Sequence, residues 1–190
     1  MPGLDHFGLL APWYDRIISY KEDEELLKWI ELPFSGNLLD IGGGTGRVAS
    51  SMVNKVDNLE LVDISYGMVK MAKNKGFSAT CALGEVLPYP GESFERALIV
   101  DALHHCSNQE GVIKDVWRIL KPGGCLVIVE PNYDHSTGKL IRLFEKMLVM
   151  KSKFLSDSDI VSLFLDYSDD INIKHVNGNS WFKVKKGYFS

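Results

Sequence analysis

The chain has 190 residues, of which 45% are hydrophobic and 24% charged, and its formal net charge is −4. These values predict a single globular domain over residues 1–190. The slight acidic excess provides no basic surface, so we expect no nucleic-acid partner. The first ten residues lack the pattern of a secretory signal, and no stretch approaches the roughly 20 apolar residues that span a bilayer. We therefore expect a cytoplasmic protein without stable membrane insertion.

Three cysteines lie in or beside apolar segments: Cys81, Cys106 and Cys125. Their spacing is not that of a metal site, so the sequence predicts buried, reduced thiols and no bound metal. Three lysines stand close together near the carboxyl end: Lys183, Lys185 and Lys186. We interpret them as the solvated face of a strand.

Apolar periodicity and turn residues predict alternating helices and strands. The predicted helices cover residues 21–31, 46–55, 65–75, 109–120, 139–150 and 156–164. The predicted strands cover residues 38–41, 59–62, 78–83, 94–100, 125–130, 171–176 and 181–185. The last two strands are joined by Asn177, Gly178 and Asn179, which is a hairpin signal. The sequence therefore predicts an α/β fold, with a doubly wound, mostly parallel seven-stranded sheet that ends in an antiparallel hairpin.

The first strand leads into a glycine-rich turn. Asp40 ends an apolar run, and three glycines follow at alternate positions: Gly42, Gly44 and Gly46. Such glycines let a backbone bend sharply and approach a ligand closely, as in the nucleotide sites of α/β sheets. A dinucleotide loop would need glycine where Arg47 stands, and the motif of a triphosphate loop is absent. Asp40 would repel a pyrophosphate and suits a cationic ligand.

The second strand ends in Asp63, directly before a Ser65 that can begin a helix. A carboxylate at this position can accept hydrogen bonds from both ribose hydroxyls of a nucleoside. The alternative is an acid on the surface in front of a helix cap. With the glycine turn in place, we favour the ribose ligand.

Six segments resemble, in order, the motifs of class I S-adenosylmethionine-dependent methyltransferases. They are Ala-Pro-Trp-Tyr-Asp at 11–15, Leu-Leu-Asp-Ile-Gly-Gly-Gly-Thr-Gly at 38–46, Leu-Val-Asp-Ile-Ser at 61–65, Glu-Val-Leu-Pro-Tyr-Pro at 85–90 with Ser-Phe at 93–94, Ala-Leu-His-His at 102–105, and Arg-Ile-Leu-Lys-Pro-Gly-Gly at 118–124. The first is similar to the ubiquinone/menaquinone-biosynthesis group, methyltransferase type 11. The resemblance implies a Rossmann-like fold, S-adenosyl-L-methionine as cofactor and methyl transfer to a small-molecule acceptor.

The resemblance also implies a place for each residue along the cofactor. Its aminoacyl end would be held by an acid and by glycine backbone: Asp40, Gly42, Gly44 and Gly46. Asp63 would bind the ribose. The adenine would lie along two side chains and meet two residues at its edge: Ile64, Met68, Gly84 and Glu85. Asp101 would lie near the sulfonium, and Tyr14 would close over the cofactor. Leu83 departs from the pattern, because family members often carry Asp or Asn there to bind the adenine amino group.

No catalytic residue is fixed by the sequence. His104 and His105 are candidates for a general base, because imidazole titrates near neutral pH; the alternative is that they pack and orient their loop. Asp134 and His135 follow the fifth strand, where acceptor-side residues or a surface turn are expected. Attack on an activated methyl group needs alignment and desolvation more than a protein nucleophile.

Two segments are predicted to cover the site. Residues 1–35 would form an N-terminal helical cap. Residues 132–155 would form a small cap on the acceptor side, and the amphipathic helix within them could instead be a dimer face or a membrane-surface contact. The sequence is compatible with a monomer or a homodimer. Two other functions stay open: a catalytically silent S-adenosylmethionine-binding or regulatory module, and an NAD-dependent oxidoreductase, against which the glycine spacing argues.

Overall fold

The computed structural model of the chain describes residues 24–132 and 153–188. Its strands are β1 (Asn37–Ile41), β2 (Asn58–Asp63), β3 (Ser78–Cys81), β4 (Phe94–Val100), β5 (Leu120–Pro131), β6 (Ile171–Val176) and β7 (Asn179–Lys185). Its helices are α1 (Glu24–Trp29), α2 (Tyr66–Asn74), α3 (Gln109–Ile119) and α4 (Asp157–Ser162), with short 3₁₀ turns at Ala49–Met52 and Leu103–His105. Tyr14, Asp134 and the predicted helix over 139–150 lie outside the described residues.

All seven strands belong to one sheet, in the order β3-β2-β1-β4-β5-β7-β6. Strands β1 to β5 run parallel to one another, whereas β7 runs antiparallel to both β5 and β6. The Rossmann-like fold predicted from the sequence is confirmed, including the terminal hairpin. The chain order reverses between β1 and β4, so a crevice opens at the carboxyl ends of these strands, where open α/β sheets bind ligands.

Adjacent residues of the central strands pack on opposite faces of the sheet. Leu38 of β1 and Leu98 of β4 pack with Leu26 and Ile30 on the face covered by α1. Residues one position further along these strands, Leu39 and Ile99, pack on the other face with α3 and α4. Burial on both faces explains why the strands read as continuous apolar runs.

Helix boundaries agree with the sequence where a cap is present. Ser65 accepts a hydrogen bond from the Met68 N–H at 3.2 Å and begins α2. Ser156 and Asp159 form a reciprocal capping box at the start of α4. Both arrangements satisfy N–H groups that have no partner within the helix.

The helix predicted over residues 46–55 is wrong, because the structure has only the 3₁₀ turn Ala49–Met52 there. The side chain of Ser50 donates to the Gly46 carbonyl at 2.7 Å, and that of Ser51 donates to the Val48 carbonyl at 2.8 Å. These side chains compete with the backbone for helical acceptors, and β-branched Val48 and Val53 favour helices little. The apolar spacing was right, but the local chemistry stops the helix.

The predicted solvated lysine face is also wrong. Lys183 and Lys186 expose only 8% and 9% of their surface. Lys183 pairs with Glu31, and the Lys186 ammonium donates to the carbonyls of Trp117 and Leu120 at 2.8 and 2.9 Å. Burial lowers the pKa of Lys186. This lysine therefore caps the carboxyl end of α3, where positive charge is favourable.

The cysteine prediction is correct only in part. All three thiols are free, but Cys81 is exposed, Cys106 is half-buried and Cys125 is buried. Within the part of the chain that the structure describes, no helix is long and apolar enough to cross a membrane.

Replacing Lys186 with methionine should lower the free energy of unfolding by about 2 kcal/mol, because two helix-terminal carbonyls lose a charged donor. Lys185→Met is the matched control, since Lys185 is more exposed and lies 3.7 Å from Glu31; its effect should stay within about 0.5 kcal/mol. Urea unfolding of the three proteins measures both values. Equal effects of the two substitutions would contradict the capping role.

Candidate functional site

A cavity of about 260 Å³ lies at the carboxyl ends of β1, β2, β3 and β4. The glycine turn after β1 forms one wall, and the loops after β2, β3 and β4 form the others. Part of its lining is apolar: Ile41, Val62, Met68, Ala82, Ile99 and Val112. The cavity occupies the crevice at the switch in strand order, which is the expected ligand position for this fold.

The glycine turn needs residues without a side chain. Gly42 has φ of +71°, and a Cβ on it would lie 2.4 Å from the Cβ of Ala102, so a larger residue would displace the loop after β4. Gly44 has φ of +57°, and no atom lies within 4 Å of its would-be Cβ. Its backbone thus lines the cavity without obstruction, and a ligand can approach it closely.

Asp63 fastens this turn to the next strand. One of its carboxylate oxygens accepts a hydrogen bond from the Gly44 N–H at 2.9 Å, and the other accepts from the Ser65 N–H at 2.8 Å. Asp63 also lines the cavity, so its carboxylate is placed where a ligand's hydroxyl groups can meet it.

Asp40 lies behind the glycine turn and does not line the cavity. It is 1% exposed, and its Oδ2 has no hydrogen-bond partner among the described residues. Burial, followed by repulsion from Asp63, raises the pKa of Asp40 to about 7, against the opposing effect of Arg47. So high a pKa means that burial disfavours the charged form of the carboxyl, which a nearby positive charge would stabilise.

Asp101 follows β4 in a left-handed conformation, with φ of +51°. Such backbone costs energy in a residue other than glycine and is often found at functional sites. The Arg47 guanidinium lies 3.8 Å from its carboxylate. Asp63, Glu85 and Asp101 all line the cavity, whereas no lysine or arginine is among the lining residues that the structure describes. The site therefore favours a cationic ligand.

Glu130, at the end of β5, organises the loop after β4. Its Oε1 accepts hydrogen bonds from the N–H groups of Ala102 and Leu103 at 3.1 and 2.8 Å, and its Oε2 lies 2.5 Å from His104 Nδ1. Both Glu130 and His104 are buried. Sequence reasoning missed Glu130; the available signal was a lone acid at the end of a buried apolar strand, where an unpaired charge is costly.

The two histidines occupy different environments. His104 lies behind the wall, held by Glu130, and its ring is stacked 5.6 Å from that of Phe154. His105 lines the cavity, with its ring centroid 4.0 Å from that of His104. The contacts of His104 are those of a residue that orients its loop. Those of His105 are the contacts of a cavity residue.

The wall on the β3 side contains Leu83, Gly84 and Glu85. The Glu85 Oε1 accepts hydrogen bonds from the Ser107 hydroxyl at 3.3 Å and from the Asn108 N–H at 3.2 Å, which joins this wall to the loop after β4. Cys106 also lines the cavity, but burial raises the pKa of its thiol to about 12. It stays protonated at neutral pH and is therefore a poor nucleophile.

The structure thus brings most of the sequence-derived candidates together. Nine of them line the one cavity: Gly42, Gly44, Asp63, Ile64, Met68, Gly84, Glu85, Asp101 and His105. Asp40 and His104 lie behind its walls, and a Cβ on Gly46 would meet the ring of Phe77 at 2.6 Å. Among the described residues, no group of three or more His, Cys, Asp or Glu could hold a metal ion.

Comparison with known proteins identifies the family. Residues 39–128 match the model of a methyltransferase domain. A demethylmenaquinone methyltransferase of Chlamydia caviae is 34% identical over 157 residues, covering 75% of this chain and 68% of its own length. The chain belongs to the S-adenosylmethionine-dependent methyltransferases.

The chain is also similar to a second relative in sequence and to a solved structure in fold. An uncharacterised protein of Methanocaldococcus jannaschii is 37% identical over 151 residues, which cover 79% of this chain and 69% of that protein. The solved structure of a SAM-dependent methyltransferase of Thermotoga maritima superposes with a TM-score of 0.77. It covers 95% of this chain and 98% of its own at 24% identity, so it supports the fold alone.

The buried Asp40 should make this methyltransferase less stable as pH rises. Its pKa of about 7 in the folded protein exceeds the ordinary value of 3.8. The loss of folding free energy caused by ionising this buried carboxyl is therefore absent below pH 4, grows between pH 4 and 7, and reaches about 4 kcal/mol above pH 7. Asp40→Asn removes the titration. Relative to the wild type, this variant should gain roughly 3 kcal/mol more at pH 8 than at pH 5.

Urea unfolding at the two pH values measures that difference. Asp57→Asn is the control, since Asp57 is exposed and its substitution should change the free energy of unfolding little at either pH. An Asp40→Asn effect of the same size at pH 5 and pH 8 would contradict the raised pKa.

Two substitutions of Glu130 should rank in a fixed order. Glu130→Gln keeps a carbonyl acceptor for the Ala102 and Leu103 N–H groups, and we expect a loss of about 1–3 kcal/mol. Glu130→Ala leaves those donors and His104 without their buried acceptor, and we expect about 3–5 kcal/mol. Urea unfolding measures both losses. An alanine variant as stable as the glutamine variant would show that Glu130 does not hold the loop.

Proposed function

We propose that this chain binds S-adenosylmethionine in the cavity and transfers its methyl group to a small-molecule acceptor. The observation that carries the proposal is the Asp63 carboxylate, which the Gly44 and Ser65 N–H groups fix at the wall of the cavity. A fixed acceptor at the end of the second strand matches the two adjacent hydroxyl donors of a ribose.

The walls on either side of Asp63 fit the rest of an adenosyl ligand. On the β3 side, the apolar side chains of Ile64 and Met68 provide a surface for a flat base. On the β4 side, Gly42 would meet the amino acid part, and Asp101 would lie near the sulfonium, whose charge its carboxylate matches. Asp40 adds negative charge from behind the turn. The acids would thus surround a ligand that is positive at both nitrogen and sulfur.

The cofactor supplies a methyl group that is bound to a positively charged sulfur, and this sulfur is a good leaving group. The chain's own residues would bind and orient this group and exclude water from it. The acidic wall would attract the charged donor more strongly than the product, whose sulfur is neutral, so release after transfer would be favoured. Cys106 would remain a neutral thiol and take no part as a nucleophile.

Among the described residues, His105 is the imidazole that lines the cavity, and it would be the group that accepts a proton from the methyl acceptor. A small acceptor is supported by the name of the Chlamydia caviae relative, a demethylmenaquinone methyltransferase. A demethylated quinol is accordingly the first acceptor class to test. His105→Gln would lower the rate of transfer to such an acceptor by a larger factor than it lowers cofactor affinity.

Asp63→Ala should weaken the binding of S-adenosylhomocysteine at least 30-fold, because two ribose hydrogen bonds to a charged acceptor are lost, at about 1–2 kcal/mol each. Isothermal titration calorimetry measures the affinity. Asp57→Ala is the control, since this acid is exposed and does not line the cavity. Unchanged affinity in Asp63→Ala would contradict the ribose assignment.

Turnover separates the proposal from the other functions. Methyl transfer from labelled S-adenosylmethionine to a demethylated quinol supports the proposal. Binding of the cofactor without transfer across a broad panel of acceptors would favour a silent binding module. Binding of NAD with no affinity for S-adenosylhomocysteine would favour an oxidoreductase.

A further inference from the structure

We propose that the cavity holds its nucleobase by shape and apolar contact and does not read the 6-amino group of adenine. It would then accept adenosyl ligands altered at the 6-position of the purine. This inference rests on the function proposed above, because it takes the cavity's ligand to be adenosyl. The inference adds that Leu83 determines which 6-substituents of the purine the cavity accepts.

The place of the base follows from the order of the strands. With the ribose at Asp63 on β2 and the amino acid part near Asp101 on β4, the base must lie toward β3, the outer strand. The cavity residues on that side are Ile64, Met68, Leu83, Gly84 and Glu85. Among them, Glu85 alone has a side-chain oxygen or nitrogen that can accept a hydrogen bond from an exocyclic amino group.

Three polar acceptors at this end already have donors. The Leu83 carbonyl accepts from the Val86 N–H at 3.2 Å, and the Ile64 carbonyl accepts from the Cys81 thiol at 3.3 Å. The Glu85 carboxylate receives the Ser107 hydroxyl and the Asn108 N–H through one oxygen, which turns it toward the loop after β4. An amino group at the 6-position would compete with these bonds.

The same end of the cavity opens toward solvent in the described structure. Leu83 is 47% exposed and Ile64 is 66% exposed. An amino group at this edge would keep its water, so its removal would leave no buried group unpaired. Strong discrimination against a missing polar group requires such a buried partner. The base is therefore held through its faces, and its 6-substituent contributes little.

Calorimetry with three ligands tests the inference: S-adenosylhomocysteine, its analogue with unsubstituted purine in place of adenine, and its N6-methyl analogue. The purine analogue keeps the ring nitrogens of adenine and lacks only the amino group. We expect both analogues to bind within fivefold of S-adenosylhomocysteine. More than fivefold weaker binding of the purine analogue would overturn the inference.

Leu83→Asp places an acceptor at the proposed edge. In this variant, S-adenosylhomocysteine should bind more than fivefold tighter than the purine analogue, whereas Leu83→Ala, the matched control, should keep the ratio of the wild type. A ratio still below fivefold in Leu83→Asp would place Leu83 away from the amino edge and overturn its assignment.

Different results would contradict the proposed function and this inference. Wild-type protein that binds none of the three ligands would contradict both the proposed function and this inference. Protein that binds S-adenosylhomocysteine but rejects the purine analogue would contradict only the inference.

Discussion

The hydrogen bonds of the Asp63 carboxylate are the interactions on which the site depends. By accepting from Gly44 on one side and Ser65 on the other, this side chain joins the glycine turn after β1 to the start of α2. The turn in turn requires glycine at position 42, because Ala102 from the loop after β4 lies against it. Three of the four loops around the cavity are thus positioned through contacts that begin at one carboxylate.

Two acids near Asp63, Asp40 and Asp101, destabilise the folded protein. Within residues 24–132 and 153–188, the buried Asp40 has no hydrogen-bond partner for Oδ2, and Asp101 has a left-handed backbone. Both features cost stability. Asp101 lines the cavity and Asp40 lies behind its wall, so both acids are near the place where a positively charged donor would bind, which is a common exchange of stability for function. Glu130 and the buried His104 offset part of this cost by fixing the loop that carries Asp101.

The sequence was sufficient wherever local signals agree with the final packing. Strands β4 and β6 were predicted to the residue, because apolar runs end at clear turn residues, and Ser65 and Ser156 were recognised as helix caps. The failures have non-local or competing causes. Lys186 caps a helix that ends 67 residues earlier in the chain, and Glu130 acts on a loop that only sheet pairing brings to it. Serine side chains stop the helix predicted after the glycine turn. The cavity itself could be anticipated, because each glycine and acid follows a parallel strand; the binding roles of these residues stay predictions.

A crystal structure of the protein with S-adenosylhomocysteine tests the central claim most directly. We expect both ribose hydroxyls to donate to the Asp63 carboxylate at hydrogen-bond distance, with the base against Ile64 and Met68 and the amino acid part near Asp101. A ligand bound elsewhere, or a ribose that does not contact Asp63, would contradict it.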